Sequence, residues 1–475
     1  MKYPVVDIDI DKIGLNSSLK KIQNLTNRLF CTPTNVGKTF GSAYLDNLCQ
    51  DIGRITLQTI GENTALEQKN RQNIAVYIAS KLQSSGGHTA VLRDTIRLSS
   101  EKKSIILVTN TCGSTKRKSV FNRFNDIQNL YIEYAPSGNH LKKLKWLQIR
   151  LLELCPRNVW LFNHSQDSVA VASVQPNQGY NLKFYHHADD RLSLGVCLAY
   201  AQHYDSNPNN FYCCRDVLGI ENNQYLPLTA SDYGVHQAAS EISKARGLVT
   251  CTAASHNKIE VDYFIRYEDI IPDILKVTGG QHIHIGHLTP MARNRINKNL
   301  ARLGFPVGRF IYIPFVSSVW DALKRNNVNL YISSFPYGAG RTSVEVMGAG
   351  VPLVVHRHHS DRMIGGVDLV YKGALIWRYP DELFYFLNNV NSDLLKEHSR
   401  RAREWYDKYH ATNIAQKVLE QSPDRPQCPK LSSNFTPDFL LQSLSNDCEF
   451  SFLPLIKAMA WRNYRRWKSY IGLYF

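Results

Sequence analysis

Short runs of β-branched and aromatic residues recur along most of the chain. Each is bounded by Gly, Ser, Asn or Pro and followed by a longer stretch whose apolar positions repeat every three or four residues. The runs read as buried strands and the stretches between them as amphipathic helices. In the first half, strands are expected at Asn73–Ala79 (NIAVYIA), Ile105–Thr109, Tyr131–Tyr134, Val159–Asn163 and Leu182–His186, with another at Phe211–Cys214. A second series opens at Leu248 (LVTCTAASHNKIE) and continues through His282–Ile285, Phe310–Ile313, Asn329–Ser333 and Leu353–Val355. Strands that are apolar along their length and alternate with helices specify parallel sheets covered on both faces. Two such series predict an α/β protein of two doubly wound, Rossmann-like lobes facing a cleft, with a C-terminal helical segment.

The same pattern sets the expected boundaries. Residues 1–70 are polar and mixed and read as an N-terminal extension with helical pieces. The first lobe then covers 71–245 and the second 246–420. The proline-rich QSPDRPQCPK (421–430) reads as a linker, so that 421–475 forms linker and basic C-terminal helices. No repeat of fixed period is present.

Candidate chemistry lies in the glycine turns. Phe335–Val355 (FPYGAGRTSVEVMGAGVPLVV) follows the strand NLYIS and reads as a glycine turn, a helix and a further strand. A helix that opens on glycine leaves backbone N–H groups free to bind phosphate. Here those of Gly340, Arg341, Thr342 and Ser343 would do so, with the Thr342 and Ser343 hydroxyls as further donors. Arg341 within the turn and Lys258 at a neighbouring strand end can add positive charge beside such a phosphate. The Asn35-Val36-Gly37-Lys38-Thr39 stretch suggests a P-loop but fails as one. It has no glycine five residues before Gly37 and no clear strand ahead of it.

Charge and cysteine usage narrow the class. Among 475 residues, 56 are Lys or Arg and 40 Asp or Glu, a net charge of +16 that favours an anionic partner. No nucleic-acid-binding motif accompanies it, which argues against nucleic acid as that partner. The ten cysteines are scattered without a CxxC pair, so neither a zinc site nor a disulfide framework is expected. The first residues, MKYPVVDIDIDKIG, are acidic where a signal peptide is apolar, and no run of 18 apolar residues occurs. A cytoplasmic protein with reduced thiols is expected.

Three segments also resemble a known family: CTAASHNKIE (251–260), FPVGRFIYIPFVSS (305–318) and FPYGAGRTSVEVMGAGVPLV. In order and spacing they are similar to the nucleotide-sugar-binding lobe of GT-B glycosyltransferases. Within those, they most resemble the O-GlcNAc transferase group and its bacterial cytoplasmic N-glycosyltransferase relatives. The resemblance implies that Ser255 and Lys258 meet the donor diphosphate, that Val316 and Ser317 lie by the nucleobase, and that Gly340–Ser343 hold diphosphate. Glu345 would hold ribose, and the donor would be a UDP-sugar used as co-substrate, without other cofactor and without metal. Two departures stand out. Arg341 occupies a helix mouth where relatives often carry Asn, His or Thr, and the ribose acid is Glu rather than Asp.

An inverting transfer also needs a base near the acceptor. Candidates are His88, on the first glycine loop, and His187 and Asp189 in HHADD (186–190), all at strand ends of the first lobe. HHADD also has the look of a metal cluster, yet Lys258 and Arg341 already supply counter-charge to the diphosphate. In the tail, Ile456, Met459, Tyr464, Trp467 and Ile471 repeat at helical spacing among Lys457, Arg462, Arg465, Arg466 and Lys468. That stretch, within 453–475, reads either as a helix for an acidic membrane surface or as one that packs back on the first lobe.

The expected function is a glycosyltransferase, hexosyl or N-acetylhexosaminyl, that extends a cell-surface polysaccharide from the cytoplasmic face, peripheral on the plasma membrane. Its acceptor would be a glycan, lipid-linked or free, or a protein Asn, Ser or Thr. The alternative from another class is a non-catalytic basic binding protein on a degenerate transferase scaffold.

Overall fold

The computed structural model describes residues 8–31, 40–62, 71–83, 86–115, 117–187, 191–237, 241–242, 247–261, 263–306, 308–358 and 366–431. The chain divides into two units. Among the described residues, one takes those up to Pro227 together with those from Gln416 to Leu431, and the other is Leu228–Ala415.

The first unit begins with helices α1 (Ile10–Ile13), α2 (Leu15–Cys31) and α3 (Ala43–Glu62). Its described strands are β1 (Gln72–Ala79), β2 (Lys103–Val108), β3 (Leu130–Tyr134), β4 (Pro156–Phe162), β5 (Asn181–His186), β6 (Gln202–Asp205) and β7 (Gln224–Tyr225). Between them come α4 (Gly87–Arg97), α5 (Arg117–Phe124), α6 (His140–Leu154), α7 (Ser168–Ser173) and α8 (Pro208–Tyr212), the last running into a π-helical turn at Cys213–Val217. The strands form one parallel sheet in the order β3-β2-β1-β4-β5-β6-β7. The chain lays β1, β2 and β3 outward in one direction and then returns to place β4 on the other side of β1. That reversal creates a crevice at the carboxyl ends of β1 and β4.

The second unit holds β8 (Thr250–Ala253), β9 (His282–Ile285), β10 (Phe310–Ile313), β11 (Leu330–Ile332), β12 (Leu353–His356) and β13 (Leu375–Trp377). Its helices are α9 (His256–Ile259), α10 (Tyr267–Thr278), α11 (Pro290–Arg302), α12 (Val319–Arg325), α13 (Gly340–Gly348), α14 (Pro380–Asn389) and α15 (Ser392–Tyr409). α16 (Thr412–Leu419) carries the chain back to the first unit. The sheet is again parallel, in the order β10-β9-β8-β11-β12-β13, so its reversal falls between β8 and β11.

Several expectations from the sequence need correction. Residues 1–70 are not a mere extension, because Leu19, Ile22, Leu45, Cys49 and Ile52 of α2 and α3 are buried in one core with Ile74, Val76 and Val159 of the sheet. Each such aliphatic side chain contributes about 1.5–3 kcal/mol when fully buried. The boundary falls after Pro227 rather than near 245. Leu228 and Ala230 are tied to the second unit, where the Leu228 carbonyl accepts from His410 Nδ1 at 2.7 Å and the Ala230 carbonyl from the Tyr406 hydroxyl at 2.7 Å. Phe211–Cys214 is helical, not a strand. Asn207 caps that helix by accepting from the Asn210 N–H at 2.9 Å, and Pro208 sits at its first position. Strands β6, β7 and β13 were not expected. The linker stretch is joined to the first unit where the Tyr212 hydroxyl approaches the Cys428 carbonyl at 3.5 Å. The tail from 432 and the Gly37-Lys38-Thr39 stretch lie outside the described residues.

Candidate functional site

In the second unit the reversal between β8 and β11 gathers the donor candidates. The chain leaves β8 through Ser255, the N-cap of α9, and Lys258 sits within that short helix. Its ammonium donates to the Gly338 carbonyl at 2.8 Å, in the turn that leads from β11 into α13. The exits of β8 and β11 are thereby joined by a cation.

Helix α13 begins at Gly340 after Ala339, an N-cap residue without a side-chain hydrogen bond to the helix. Alanine has no oxygen to offer, so the first N–H groups are left to solvent or to an anion. A Cβ at Gly340 would come within 3.1 Å of Leu228 Cδ1, and glycine keeps this entrance open. Behind the mouth, Arg341 donates from Nη1 to Glu345 Oε1 at 2.9 Å and from Nε to the Thr229 carbonyl at 3.2 Å. The other oxygen of Glu345 accepts from the N–H groups of Val319 and Trp320, at 3.1 and 3.3 Å. One carboxylate therefore holds Arg341 and caps α12 at the same time.

That cap also fixes the loop leaving β10. Val316 and Ser317 lie in it, just ahead of Ser318, whose hydroxyl accepts from the Asp321 N–H at 3.1 Å. Ser317 is exposed and Val316 half-buried. Their neighbour Phe315, not singled out by the sequence, is 63 % exposed and offers an aromatic face in the same loop. Ser343 departs from expectation. It is buried, and its hydroxyl donates to the Ala339 carbonyl at 2.5 Å, so its one proton serves the helix rather than a phosphate. The half-buried Thr342 remains at the mouth.

In the first unit the reversal between β1 and β4 gathers histidines. His88 stands at the second position of α4, which opens from the β1 exit through Gly86 at φ +112°, a conformation that favours glycine. His164 follows β4, its N–H donating to the Ser80 hydroxyl at 2.8 Å across the reversal. His187 follows β5. The His88 ring centre lies 4.0 Å from that of His187 and 4.8 Å from that of His164. His88 is buried, and neither ring nitrogen makes a hydrogen bond of normal geometry to a described residue. Burial first, then His187 and His164, hold its pKa well below the usual imidazole value, against a weak opposing pull from the Phe162 backbone. His164 is lowered as well, chiefly by burial, with Asp167 opposing and Lys81 reinforcing. His88 is accordingly neutral at ordinary pH.

Two of the three expected base candidates, His88 and His187, are thus in ring contact, whereas Asp189 lies outside the described residues. His164 was missed. The available signal was a histidine just beyond each of the neighbouring strands β4 and β5, at the place where doubly wound sheets bind ligands. His356 ends β12 and is turned inward, its Nε2 2.6 Å from the Tyr263 hydroxyl.

No family model and no curated protein matches the chain. Solved structures do. Anabaena Alr3699/HepE, in complex with UDP and glucose, superposes with a TM-score of 0.54 at 13% identity, over 73% of this chain and 98% of that one. The lipopolysaccharide outer core galactosyltransferase WaaB superposes with a TM-score of 0.51 at 15% identity, over 78% of this chain and 98% of that one. An O-GlcNAc transferase of Thermobaculum terrenum is a further match, with a TM-score of 0.47 at 13% identity, over 91% and 81% of the two chains. At such identities the likeness is one of fold, and the fold is GT-B.

Proposed function

We propose that this protein transfers a sugar from a UDP-sugar to a hydroxyl of a cell-surface glycan, with inversion and without a metal at the diphosphate. The observation that carries the reading is the α13 mouth. An uncapped helix N-terminus stands at the reversal of a doubly wound sheet, with Lys258 and Arg341 on either side of it. As the glycosidic bond breaks, negative charge grows on the leaving diphosphate, and these groups would stabilise it. Glu345, one turn further in, would take the ribose hydroxyls, and Val316, Ser317 and the exposed Phe315 the base. His187 would take the acceptor proton, with His88 holding its ring in place. The UDP complex of Alr3699/HepE and the lipopolysaccharide acceptor of WaaB support the donor and acceptor classes.

The sequence resemblance keeps protein Asn, Ser or Thr as the second acceptor reading. A membrane-bound acceptor is consistent with the basic 453–475 stretch, and no helix among the described residues is long and apolar enough to cross a membrane.

Melting curves with UDP, GDP, CMP and dTDP, each with and without EDTA, test the donor. A ligand bound only by the folded state raises Tm, by an amount set by its concentration over Kd. UDP should give the largest rise, and the UDP increment should survive EDTA. A rise confined to another nucleotide, or a UDP increment abolished by EDTA, would overturn the proposal.

A further inference from the structure

Away from both reversals, the first unit contains a cluster that the proposed transfer does not use. His186 ends β5, His203 and Asp205 lie two residues apart on one face of β6, and Cys214 sits in the π-helical turn after α8. All four are buried. His186 Nδ1 is 2.9 Å from Asp205 Oδ1, His203 Nε2 is 3.0 Å from the same oxygen, and Cys214 Sγ is 3.5 Å from His186 Nδ1. No pair among the four donor atoms is more than 4.8 Å apart. The imidazole planes stand at 86° to one another, so the two rings approach the common point from different directions.

We propose that His186, His203, Asp205 and Cys214 bind a structural divalent metal ion of the zinc class. Zinc bonds of about 2.0–2.3 Å to N, O and S define a tetrahedron with edges of roughly 3.3–3.8 Å, a range bracketed by the donor separations, which start at 2.9 Å and stay within 4.8 Å. Each donor is of a type this ion takes, imidazole nitrogen, carboxylate oxygen and thiolate sulfur, and there are four of them. Charge balances too. Two neutral histidines, a carboxylate and a thiolate carry two negative charges, which a divalent ion cancels in a buried place. On binding, the Cys214 thiol gives up its proton to solvent and the sulfur lone pair becomes the metal bond.

The surroundings suit this use. Asn223 Nδ2 donates to Asp205 Oδ2 at 2.8 Å and to the Phe211 carbonyl at 2.8 Å, which orients the carboxylate. The π-helical turn adds a residue to the helical path and re-aims the side chains that follow it. A scattered spacing of this kind, with no CxxC pair, escapes any sequence rule for zinc. The ion would pin β5, β6 and the turn together one residue before His187, which makes it a support for the histidine cluster rather than a participant in transfer.

Metal analysis of the full chain, purified after removal of any histidine tag, tests the assignment. About one equivalent of zinc is expected. The cobalt-substituted protein should show thiolate-to-cobalt charge transfer in the near ultraviolet and the visible bands of a tetrahedral site. Cys214→Ser should abolish the charge-transfer band and lower the metal content, whereas Cys251→Ser, a buried thiol in the other unit, should leave both intact. Wild-type protein with metal well below one equivalent and no cobalt spectrum would overturn the proposal and leave a hydrogen-bonded His–Asp–His network. Retention of the band in Cys214→Ser would overturn it equally. If Cys214→Ser does not fold, the content and spectrum of the wild type decide alone.

Discussion

Replacing Arg341 with alanine separates two roles that its position combines. In the free protein the guanidinium is paired with Glu345 at 2.9 Å, both side chains being mostly shielded, at 22% and 15% exposed. Exposed pairs spaced four apart on a helix contribute about 0.3–0.5 kcal/mol. This one is shielded and charge-assisted, while alanine is the better helix former, so a net loss near 1 kcal/mol is expected, a few degrees at most in Tm. The loss in function is larger. Removing one fixed donor from a developing anion costs about 2–4 kcal/mol of transition-state stabilisation, or roughly 30- to 1000-fold in kcat/KM. The stranded Glu345 carboxylate adds to this by facing the diphosphate without its partner. UDP affinity should therefore fall by about tenfold or more in titration calorimetry. Arg341→Ala combined with Glu345→Gln should recover part of that, with a coupling of about 0.5–3 kcal/mol. Should Arg341→Ala lower Tm yet leave UDP affinity and donor turnover within twofold of wild type, Arg341 is only half of a helix ion pair and the site assignment is wrong.

Other expectations follow from the same geometry. His187→Ala and His88→Ala should each nearly stop sugar transfer while leaving calorimetric UDP affinity close to wild type, since the nucleotide groups belong to the other unit; full transfer in both would place the base elsewhere. His410 is buried and held at a pKa of about 4, by burial first and against the pull of the Leu228 and Leu369 carbonyls. Its neutral form is kept in the folded state while the unfolded chain gains a proton below about 6.5, so stability falls as pH drops through that window. Relative to His410→Asn, urea denaturation should show a loss of roughly 3 kcal/mol between pH 7 and pH 4, and parallel curves would contradict this. Gly286, at φ +119°, has room for no side chain, because a Cβ would lie 2.2 Å from the Ala254 carbonyl oxygen at the β8 exit. Gly286→Ala should lower the urea midpoint by the equivalent of about 1–3 kcal/mol and weaken UDP binding, and an unchanged midpoint would show that the β8 exit yields.

The central strands were legible because a strand covered on both faces has to be apolar along its length, as β1, β4, β11 and β12 largely are. β6 was not, since QHYD looks like a loop until His203 and Asp205 are seen to satisfy each other inside the protein. β7 and β13, two and three residues long, are too short for any period to register. The turn into α13 was readable from its glycines, because uncapped N–H groups are a property of local backbone. The double hold of Glu345 on Arg341 and α12 was not, because it joins residues 26 positions apart. His88 and His187 could be picked out singly, but their contact, and the presence of His164 beside them, depend on which strands become neighbours. Likewise Leu228 and Ala230 look like the end of one unit until the α15 end, 176 residues later, is found hydrogen-bonded to them.

The path of the chain has a consequence for synthesis. Among the described residues, it leaves the first unit after Pro227, builds the second over Leu228–Ala415, and returns to the first at Gln416 within α16. The second unit is thus an insertion in the first. On the ribosome the described part of the second unit can pack as soon as Ala415 emerges, whereas the unit begun earlier still waits for Gln416–Leu431. Loss of Gln416–Leu431 would accordingly injure the earlier-made unit, the reverse of what loss of a later segment does to two domains strung end to end.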